Sequence, residues 1–497
     1  MTRSVLVLVL VLVLDPPRAA AEGRPRYGGI VEATLLGAPA TLDPLAAQSH
    51  AETTVAGLVF DTLYELASPG VPQPHLAAGP PVLDEKQTTV HVAIKKGIRM
   101  HDGSELTAQD VAASLERARM SARWLLAPVL GVRADVDAVV LSLRAPVPDL
   151  TLLLSLPQLA ITKAGRPPGD RPVGSGPYAV DAFDRSRRRL ALRAFDDHFA
   201  GRPYIDQLAL TWYDRPDGEA RRFETGKSQI SARGAAAFAG GQPAYRSDDV
   251  ESPPALLVYI GFGRAHAAIT NDRGFRRALD LALSRGGLTT ISSGERVVPT
   301  RLPVPVEAGG TLLDVRGKVG DLAAARAQLA DAARRVPALA ANKLGSLRLE
   351  ILVEDTRPDD RQIAERVVLA LDKLGIAAVI TPVAAHVLRD RVAKGQGDLW
   401  IGQHAVPVTA QQVWWSAAFA AGGDDWSVSA LQTGAIDPGV AAKEFAQRLP
   451  IVPLMFRSVR MWHPTNLRGI SFDASARPCY DNLFLFGPAV PQRGGRP

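Results

Sequence analysis

Residues 347–380 read LRLEILVEDTRPDDRQIAERVVLALDKLGIAAVI, and this stretch decides the fold class. Its first seven residues place Leu347, Leu349, Ile351 and Val353 at every second position, which is the period of a β-strand. Apolar residues then recur at helical spacing, and the following glycine is typical of a left-handed helix C-cap. A second apolar run, 376–380, ends the stretch. Strand, helix and strand in this order indicate a β-α-β unit, and therefore parallel strands with helices on the faces of a sheet.

The first 21 residues have the pattern of a secretory signal peptide. Arg3 precedes the apolar run 5–14, and three alanines at 19–21 supply the small-residue cleavage site. The apolar run is about half as long as the roughly twenty residues that a membrane-spanning helix needs. No cysteine follows it to accept a lipid anchor. We expect cleavage after Ala21 and export to the periplasm as a soluble protein that is not a lipoprotein.

Composition favours a globular protein and argues against nucleic acid as a partner. The chain has 497 residues, of which 46% are hydrophobic and 22% charged, enough for two or three domains. The net charge is only +6, and the densest basic run, 185–189, lies among aspartates. That pattern is typical of a solvated surface and not of a phosphate-binding stripe. The single cysteine, Cys479, cannot form an internal disulfide and is expected to be a packed thiol.

Motifs of known catalytic chemistry are missing from the sequence. It contains no Ser-x-x-Lys, no His-Glu-x-x-His and no phosphate loop ending in Gly-Lys. None of the nine histidines lies four residues from another, the spacing of a helical metal pair. We therefore predict no catalytic residues, no metal site and no cofactor. The sequence favours a protein that binds a ligand over one that transforms it.

Short blocks spread over most of the chain resemble one family in their order and spacing. The blocks are TLDP at 41–44, KGIRMHDGSELTAQDV at 96–111, GSGPY at 174–178, RPYID at 202–206, FRRALDLALSR at 275–285, LGI at 374–376, GDL at 397–399 and LPIVPL at 449–454. Together they resemble the extracytoplasmic solute-binding proteins, family 5, of ABC importers for oligopeptides, dipeptides and nickel. The block at 96–111 carries most of this resemblance.

The resemblance implies an α/β fold of the two-lobe periplasmic-binding-protein type (type II, mixed sheets) with a small extra subdomain. After the signal peptide, 1–21, the expected parts are lobe I at 22–60, 172–258 and 455–490, a subdomain at 61–171 packed on lobe I, and lobe II at 259–454. Strands crossing between the lobes would let them close on a small solute. An inner-membrane ABC permease would then receive that solute from the binding protein, which is expected to be a monomer.

The same resemblance, combined with side-chain chemistry, gives the candidate ligand-binding residues. They are Gln48, Ser49, His50, Tyr259, Phe262, Gln403, His404, Trp414 and Trp415. Alternatives remain for several: an exposed loop histidine at 50, core aromatics at 259 and 262, and packing for at least one of the adjacent tryptophans. On a strand, those two tryptophans would face opposite sides.

One departure from the family pattern concerns the ligand. Peptide binders of the family carry Gly-x-x-x-Asp in lobe II, and its carboxylate pairs with the ligand's α-amino group. Here the matching residues 402–406 read GQHAV and contain no acid. The family's usual asparagine after the crossover is also replaced around 261–263, and the segment 406–449 is short. These departures indicate either a different ligand or a decayed site. If the site is intact, the sequence predicts a ligand that does not depend on a free α-amino group.

The main functional hypothesis is the substrate-binding component of an ABC importer, capturing a peptide-like or other small solute. The alternative is a sensor or scaffold that retains the binding fold without transport. A secreted hydrolase is a third hypothesis, because the separation of two carboxylates cannot be read from sequence.

Overall fold

The structure is a computed structural model that describes residues 25–67, 70–122, 124–238, 241–291, 295–311, 320–340, 343–406 and 410–486. The predicted signal peptide, 1–21, lies outside the described residues. Among the described residues, no helix is both long enough and apolar enough to cross a bilayer.

Helices and strands alternate between residues 297 and 421, and elsewhere they occur largely in runs of one kind. The α-helices of the described residues are α1 (His50–Val59), α2 (Ala108–Ser121), α3 (Leu150–Leu153), α4 (Pro216–Glu224), α5 (Ala267–Thr270), α6 (Arg273–Ala282), α7 (Leu322–Ala333), α8 (Pro358–Asp372), α9 (Ala385–Ala393), α10 (Gln411–Ala421), α11 (Val428–Gln432) and α12 (Pro438–Arg448). The β-strands are β1 (Ile30–Thr34), β2 (Tyr64–Ala67), β3 (Val71–Pro74), β4 (Val82–Leu83), β5 (Thr89–Ala93), β6 (Val129–Ala134), β7 (Ala138–Leu143), β8 (Tyr178–Asp184), β9 (Arg189–Ala194), β10 (Gln207–Thr211), β11 (Ser247–Glu251), β12 (Leu256–Phe262), β13 (Val297–Pro299), β14 (Arg348–Glu354), β15 (Ala377–Val383), β16 (Leu399–Ala405), β17 (Val452–Arg457), β18 (Arg460–Pro464), β19 (Leu467–Arg468), β20 (Ser471–Phe472), β21 (Pro478–Cys479) and β22 (Phe484–Leu485).

Three larger sheets organise these elements. One has the order β1-β10-β9-β8, with β1 parallel to β10 and the other pairs antiparallel. A second, β4-β5-β7-β6, is antiparallel throughout and lies within 61–171. The third, β13-β17-β12-β16-β14-β15, is mixed, because β14 is parallel to both β15 and β16. The predicted α/β class with mixed sheets is confirmed.

The β-α-β unit predicted from 347–380 is present as β14, α8 and β15. The two strands are parallel, with Ile351 opposite Ile380. The helix buries Ile363, Val367 and Leu371 against the sheet. Its first turn carries Asp359 and Asp360, where negative charge is favourable for the helix dipole.

Two strands, β12 and β17, pass through the predicted lobe boundaries at 258/259 and 454/455. They are antiparallel neighbours in the centre of the six-stranded sheet. The chain segments beyond them, β11 and β18, pair with each other. Two adjacent crossing strands are the connection that the resemblance implied. The exact lobe boundaries stay predictions.

The apolar core of 61–171 continues into the C-terminal helices. One hydrophobic cluster joins Leu115 and Leu141 with Trp414 of α10 and Phe445 of α12. The contacts from 61–171 to the predicted lobe I include a hydrogen bond from the Ser175 hydroxyl to Asp61, at 2.7 Å. Residues 61–171 therefore contact residues of both predicted lobes, and their division into a subdomain packed on lobe I stays a prediction.

A capping box begins α2, and the predicted packing of Cys479 is confirmed. Thr107 caps α2, and the reciprocal bond from its backbone N–H to the Asp110 carboxylate, 3.0 Å long, completes a capping box. Cys479 is half-buried, and burial raises the pKa of its thiol to about 12, as expected for a packed cysteine.

Candidate functional site

Two adjoining cavities lie between the N-terminal segment that leads into α1 and the β12–β16 side of the six-stranded sheet. Their volumes are about 760 and about 170 Å³. Both are lined by Gln48, Tyr259 and Trp400, so they form one region, which we call the interlobe cavity. One wall comes from predicted lobe I and the other from predicted lobe II. This is the place where closing lobes would enclose a ligand.

The base of the interlobe cavity is made by two aromatic rings, which we call the aromatic floor: Tyr259 on β12 and Trp400 on β16. In the strand register Tyr259 faces Gly402, and Gly261 faces Trp400. A Cβ on Gly402 would lie 2.3 Å from Tyr259 Cζ, and one on Gly261 would lie 2.2 Å from Trp400 Cε2. Each ring therefore occupies the space that a side chain would need at the glycine of the neighbouring strand. Burial raises the pKa of Tyr259 to about 12.

The three candidates after the TLDP turn have different environments. Gln48 is exposed and lines both parts of the cavity. Ser49 lines the smaller part and caps α1 in a capping box with Glu52. His50 is buried, and its Nε2 lies 2.8 Å from the carbonyl oxygen of Ala476.

His50 does not line the interlobe cavity. Burial lowers the pKa of its imidazole to about 4, so it is neutral. The structure therefore places His50 outside the candidate site, where its hydrogen bond to Ala476 indicates a structural role. The alternative interpretation from the sequence, an exposed histidine in a loop, is also wrong, because His50 is buried at the start of α1.

Gln403 and His404 are neighbours on β16, and their side chains point to opposite sides of the strand. Gln403 lines the smaller part of the cavity, and its amide nitrogen donates to Asp360 Oδ1 at 3.3 Å. His404 lines the larger part, with its ring centroid 5.8 Å from that of Trp124. Burial lowers the pKa of His404 to about 4. Its Nε2 has no hydrogen-bond partner among the residues that the structure describes.

The two adjacent tryptophans belong to the core. Trp414 and Trp415 lie on helix α10 and not on a strand, and both are almost fully buried. Trp414 packs edge-on to Phe456 at 5.2 Å between centroids, and Trp415 packs on Phe445 at 5.6 Å. Neither lines the interlobe cavity. The expectation that they bind ligand from a strand is corrected to packing for both.

Phe262 is half-buried and lines the larger part of the cavity. The guanidinium of Arg276 lies 4.4 Å from the centre of its ring, a cation–π geometry. Of the nine candidates, the structure brings Gln48, Ser49, Tyr259, Phe262, Gln403 and His404 to this cavity.

Sequence reasoning missed the ion pair that joins the two walls. The Glu52 carboxylate accepts hydrogen bonds from the backbone N–H groups of Gln48, at 2.8 Å, and Ser49, at 3.0 Å. Arg389 of α9 reaches across to the same carboxylate and also donates to the Ala46 carbonyl. Arg389 and Glu52 are 337 positions apart, and no motif links them. Trp124, Trp400 and Arg264, which also line the cavity, were missed for the same reason.

The acids near the base of the cavity are engaged with arginines. Glu52 pairs with Arg389, and Glu354 pairs with Arg357 at 2.9 Å. Residues 402–406 bring no carboxylate, as the sequence predicted. Among the described residues, no group of three or more His, Cys, Asp or Glu is arranged to hold a metal ion.

This geometry is that of a two-lobed protein with a cavity between its predicted lobes. The profile of "Bacterial extracellular solute-binding proteins, family 5 Middle" matches residues 71–424. The chain belongs to this family.

Individual relatives are more distant. The nickel-binding protein NikA of Staphylococcus aureus is 26% identical over 213 residues, 40% of this chain and 41% of that protein. The glutathione-binding protein GsiB of Salmonella paratyphi A is 26% identical over 284 residues, 53% of this chain and 54% of that protein. The chain thus spans about half of the length of these relatives.

The fold is shared with solved structures over nearly the whole chain. The oligopeptide-binding protein AppA of Bacillus subtilis, in complex with a nonapeptide, superposes with a TM-score of 0.75. The superposition covers 93% of this chain and 100% of that chain at 18% identity. The two-lobe fold predicted from the sequence is therefore confirmed.

Proposed function

We propose that this protein is the extracytoplasmic substrate-binding component of an ABC importer. It captures a peptide-like or other small solute between its lobes and delivers it to an inner-membrane permease. The observation that supports the proposal is the interlobe cavity, whose two walls come from residues predicted to belong to different lobes. Only a closed form brings both walls to the ligand, so binding would favour closure. The protein acts as an exported monomer.

The proposal contains no catalytic step. The cavity offers neutral hydrogen-bonding groups: His404 on the same face of β16 as Trp400, and Gln403 in the smaller part of the cavity. Such groups orient a ligand and exclude water, which is the work of a binding site. The names of NikA and GsiB also describe binding.

The first test is ligand-driven closure. Solute released from gently purified protein is identified by mass spectrometry and added back. We expect a smaller radius of gyration in small-angle X-ray scattering. At a hundredfold excess over the dissociation constant, we expect about 2.7 kcal/mol of added stability.

Two variants make the test specific. Ala393, an exposed residue that lines both parts of the cavity, is changed to Trp, which should fill the cavity and abolish the response. Ala377→Trp adds the same volume at an exposed site on β15 and should leave the response intact. A saturating solute that leaves the scattering unchanged would contradict the proposal.

Export is tested separately. Mass spectrometry of the intact protein in a periplasmic extract should give a chain that begins at Glu22, because the alanines at 19–21 form the cleavage site. Recovery of the uncleaved chain with the membrane fraction would contradict the periplasmic assignment.

A further inference from the structure

The larger part of the interlobe cavity carries an excess of positive charge. Its charged lining residues are four arginines and two aspartates: Arg264, Arg273, Arg276, Arg448, Asp424 and Asp425. Four positive and two negative charges leave a surplus of two positive charges. In a cleft with low-dielectric walls, such a surplus attracts anions.

Two of the arginines are already committed to protein partners. Arg448 pairs with Asp424 at 3.2 Å and with Glu444 at 3.0 Å. Arg276 donates to the carbonyl oxygens of Thr270 and Leu449, at 2.6 and 3.1 Å. These carbonyls and the Asn271 side-chain oxygen, at 3.2 Å, accept three of its five N–H donors, but they do not neutralise its charge. Burial lowers the pKa of Arg276 to about 10, which leaves it charged at neutral pH.

The other two lining arginines, Arg264 and Arg273, have guanidinium N–H groups that are available to a ligand. Arg264 and Arg273 are exposed, and within the described part of the chain neither has a carboxylate within 4 Å. Arg273 is the first residue of α6, so the positive end of the helix dipole adds to its charge. A guanidinium presents a planar fork of N–H groups that matches the oxygens of a carboxylate or a phosphate.

The aromatic floor places a second requirement on the chemistry of the ligand. Tyr259 and Trp400 line the same part of the cavity as these arginines, together with Phe262. Flat aromatic faces favour a planar or apolar group and provide no charge of their own to balance the arginines. The cavity thus combines an apolar base with a basic side.

We propose that the ligand is an organic oxyanion whose carboxylate or phosphate group binds Arg264 and Arg273 and whose flat or apolar part lies on the aromatic floor. This inference rests on the proposed function and adds the chemical class of the solute.

The test compares matched pairs of probes that differ only in charge. Di- and tripeptides with aromatic residues are used as free acids and as C-terminal amides, N-benzoylglycine with its amide, and phenyl phosphate with phenol. Dissociation constants are measured by calorimetry on the full protein, and closure by scattering. We expect the charged member of each binding pair to bind about 10-fold or more tightly, as a charge-assisted bond provides. Comparing the carboxylate pairs with the phenyl phosphate pair shows whether the site prefers a carboxylate or a phosphate.

Three variants assign the effect to the two arginines. Arg264→Gln with Arg273→Gln should remove the preference for the charged probe, and Arg264→Glu with Arg273→Glu should reverse it toward the amide. Arg348→Gln is the control, because Arg348 is exposed on β14 of the same lobe and lies outside the cavity. It should keep the preference.

The outcomes separate this inference from the proposed function. Closure on a neutral or cationic solute, with equal or better binding of the uncharged probes, would overturn the oxyanion inference and leave the importer proposal standing. A protein that closes on no solute of any charge, including its own released ligand, would overturn both. Unchanged selectivity in the Glu variants would also refute the assignment to Arg264 and Arg273.

Discussion

At the scale of single residues, two glycines determine where the aromatic rings of the cavity lie. Gly402 leaves room for Tyr259, and Gly261 leaves room for Trp400. Because a Cβ at either position would come within 2.3 Å of a ring atom, any side chain there must displace the aromatic floor. Glycine is required at these two positions because an aromatic ring lies close to the backbone, and not because the backbone has a positive φ.

Gly402→Ala is therefore expected to lower the unfolding free energy by about 1–3 kcal/mol and to weaken solute binding. Thermal unfolding and calorimetry measure the two effects. Gly131→Ala is the control, because Gly131 also lies on a strand and a Cβ there meets nothing within 4 Å. Equal stability of both variants would contradict the packing argument.

The second prediction at this scale concerns the missing acid at 402–406. With neutral Gln403 and His404 in place of a carboxylate, the protein should not require a free α-amino group in its ligand. N-acetylated di- and tripeptides are expected to bind no more weakly than the free peptides in calorimetry. His404→Ala should weaken a bound solute by about 1–3 kcal/mol if the solute uses the open Nε2. If acetylation abolishes tight binding, another carboxylate has taken this role.

Six of the nine candidate residues line the interlobe cavity, and their role in ligand binding stays a prediction. The sequence could place them together because the family motifs fix the order of turns and strands. It failed for His50 because burial against the Ala476 carbonyl is a contact over 426 positions. It missed Arg389 for the same reason. Local patterns carry no information on which distant residues meet.

At the scale of elements, the first turn of α8 brings together more acids than bases. Asp359 and Glu295 face Arg457, and Asp360 lies 3.0 Å from Arg357 in a direction that makes no hydrogen bond. Burial raises the pKa of Asp360 to about 7, and that of Glu295 to about 7 as well. The buried cluster therefore retains protons near neutral pH.

This cluster predicts a pH dependence of stability. The folded-state pKa of Asp360 exceeds its unfolded value of 3.8, so the native state binds more protons between these values. Its contribution is fully present below about pH 4 and is lost as the pH rises through about 7. Asp360→Asn, which mimics the protonated form, should approach the wild type in stability as the pH falls to about 4, and should exceed it by a margin that grows up to about pH 7 and is constant above it.

The comparison requires unfolding free energies from denaturant titrations at several pH values. Asp355→Asn is the control, because Asp355 is exposed just before α8 and should leave the pH profile unchanged. A profile for Asp360→Asn that parallels the wild type would show that Asp360 is ionised throughout.

Elements with a clear hydrophobic periodicity were predicted correctly from the sequence, whereas α10, which lacks such a periodicity, was not. The β14-α8-β15 unit is amphipathic and was predicted correctly. Helix α10 buries every residue from Val413 to Phe419, so it has no polar face to reveal a helical period. Its two tryptophans, which are common in strands, favoured the wrong element.

At the scale of the whole molecule, the Arg389–Glu52 ion pair links the two walls of the cavity. Breaking it should favour the open form of the ligand-free protein. Arg389→Ala is expected to increase the radius of gyration without ligand and to weaken binding, since a buried carboxylate left unpaired is costly. Small-angle scattering and calorimetry measure these effects.

Arg391→Ala provides the matched control for this variant. Arg391 lies on the same helix, but it pairs with Glu350 of the same predicted lobe at 2.6 Å. Its loss should leave both the scattering and the affinity unchanged. Identical scattering of the Arg389 and Arg391 variants would show that the ion pair does not hold the lobes together.

Trp124 and Trp400 line the cavity, so their fluorescence should report whether the cavity is occupied. Of its seven tryptophans, these two line the interlobe cavity, whereas Trp212, Trp414, Trp415 and Trp462 are buried elsewhere. The seventh, Trp426, is half-buried between Phe419 and Arg448. Indole emission shifts to shorter wavelength when water leaves its surroundings. Occupancy of the cavity can therefore be followed in unlabelled protein as a blue shift over a constant background, at concentrations far below those that scattering or calorimetry require.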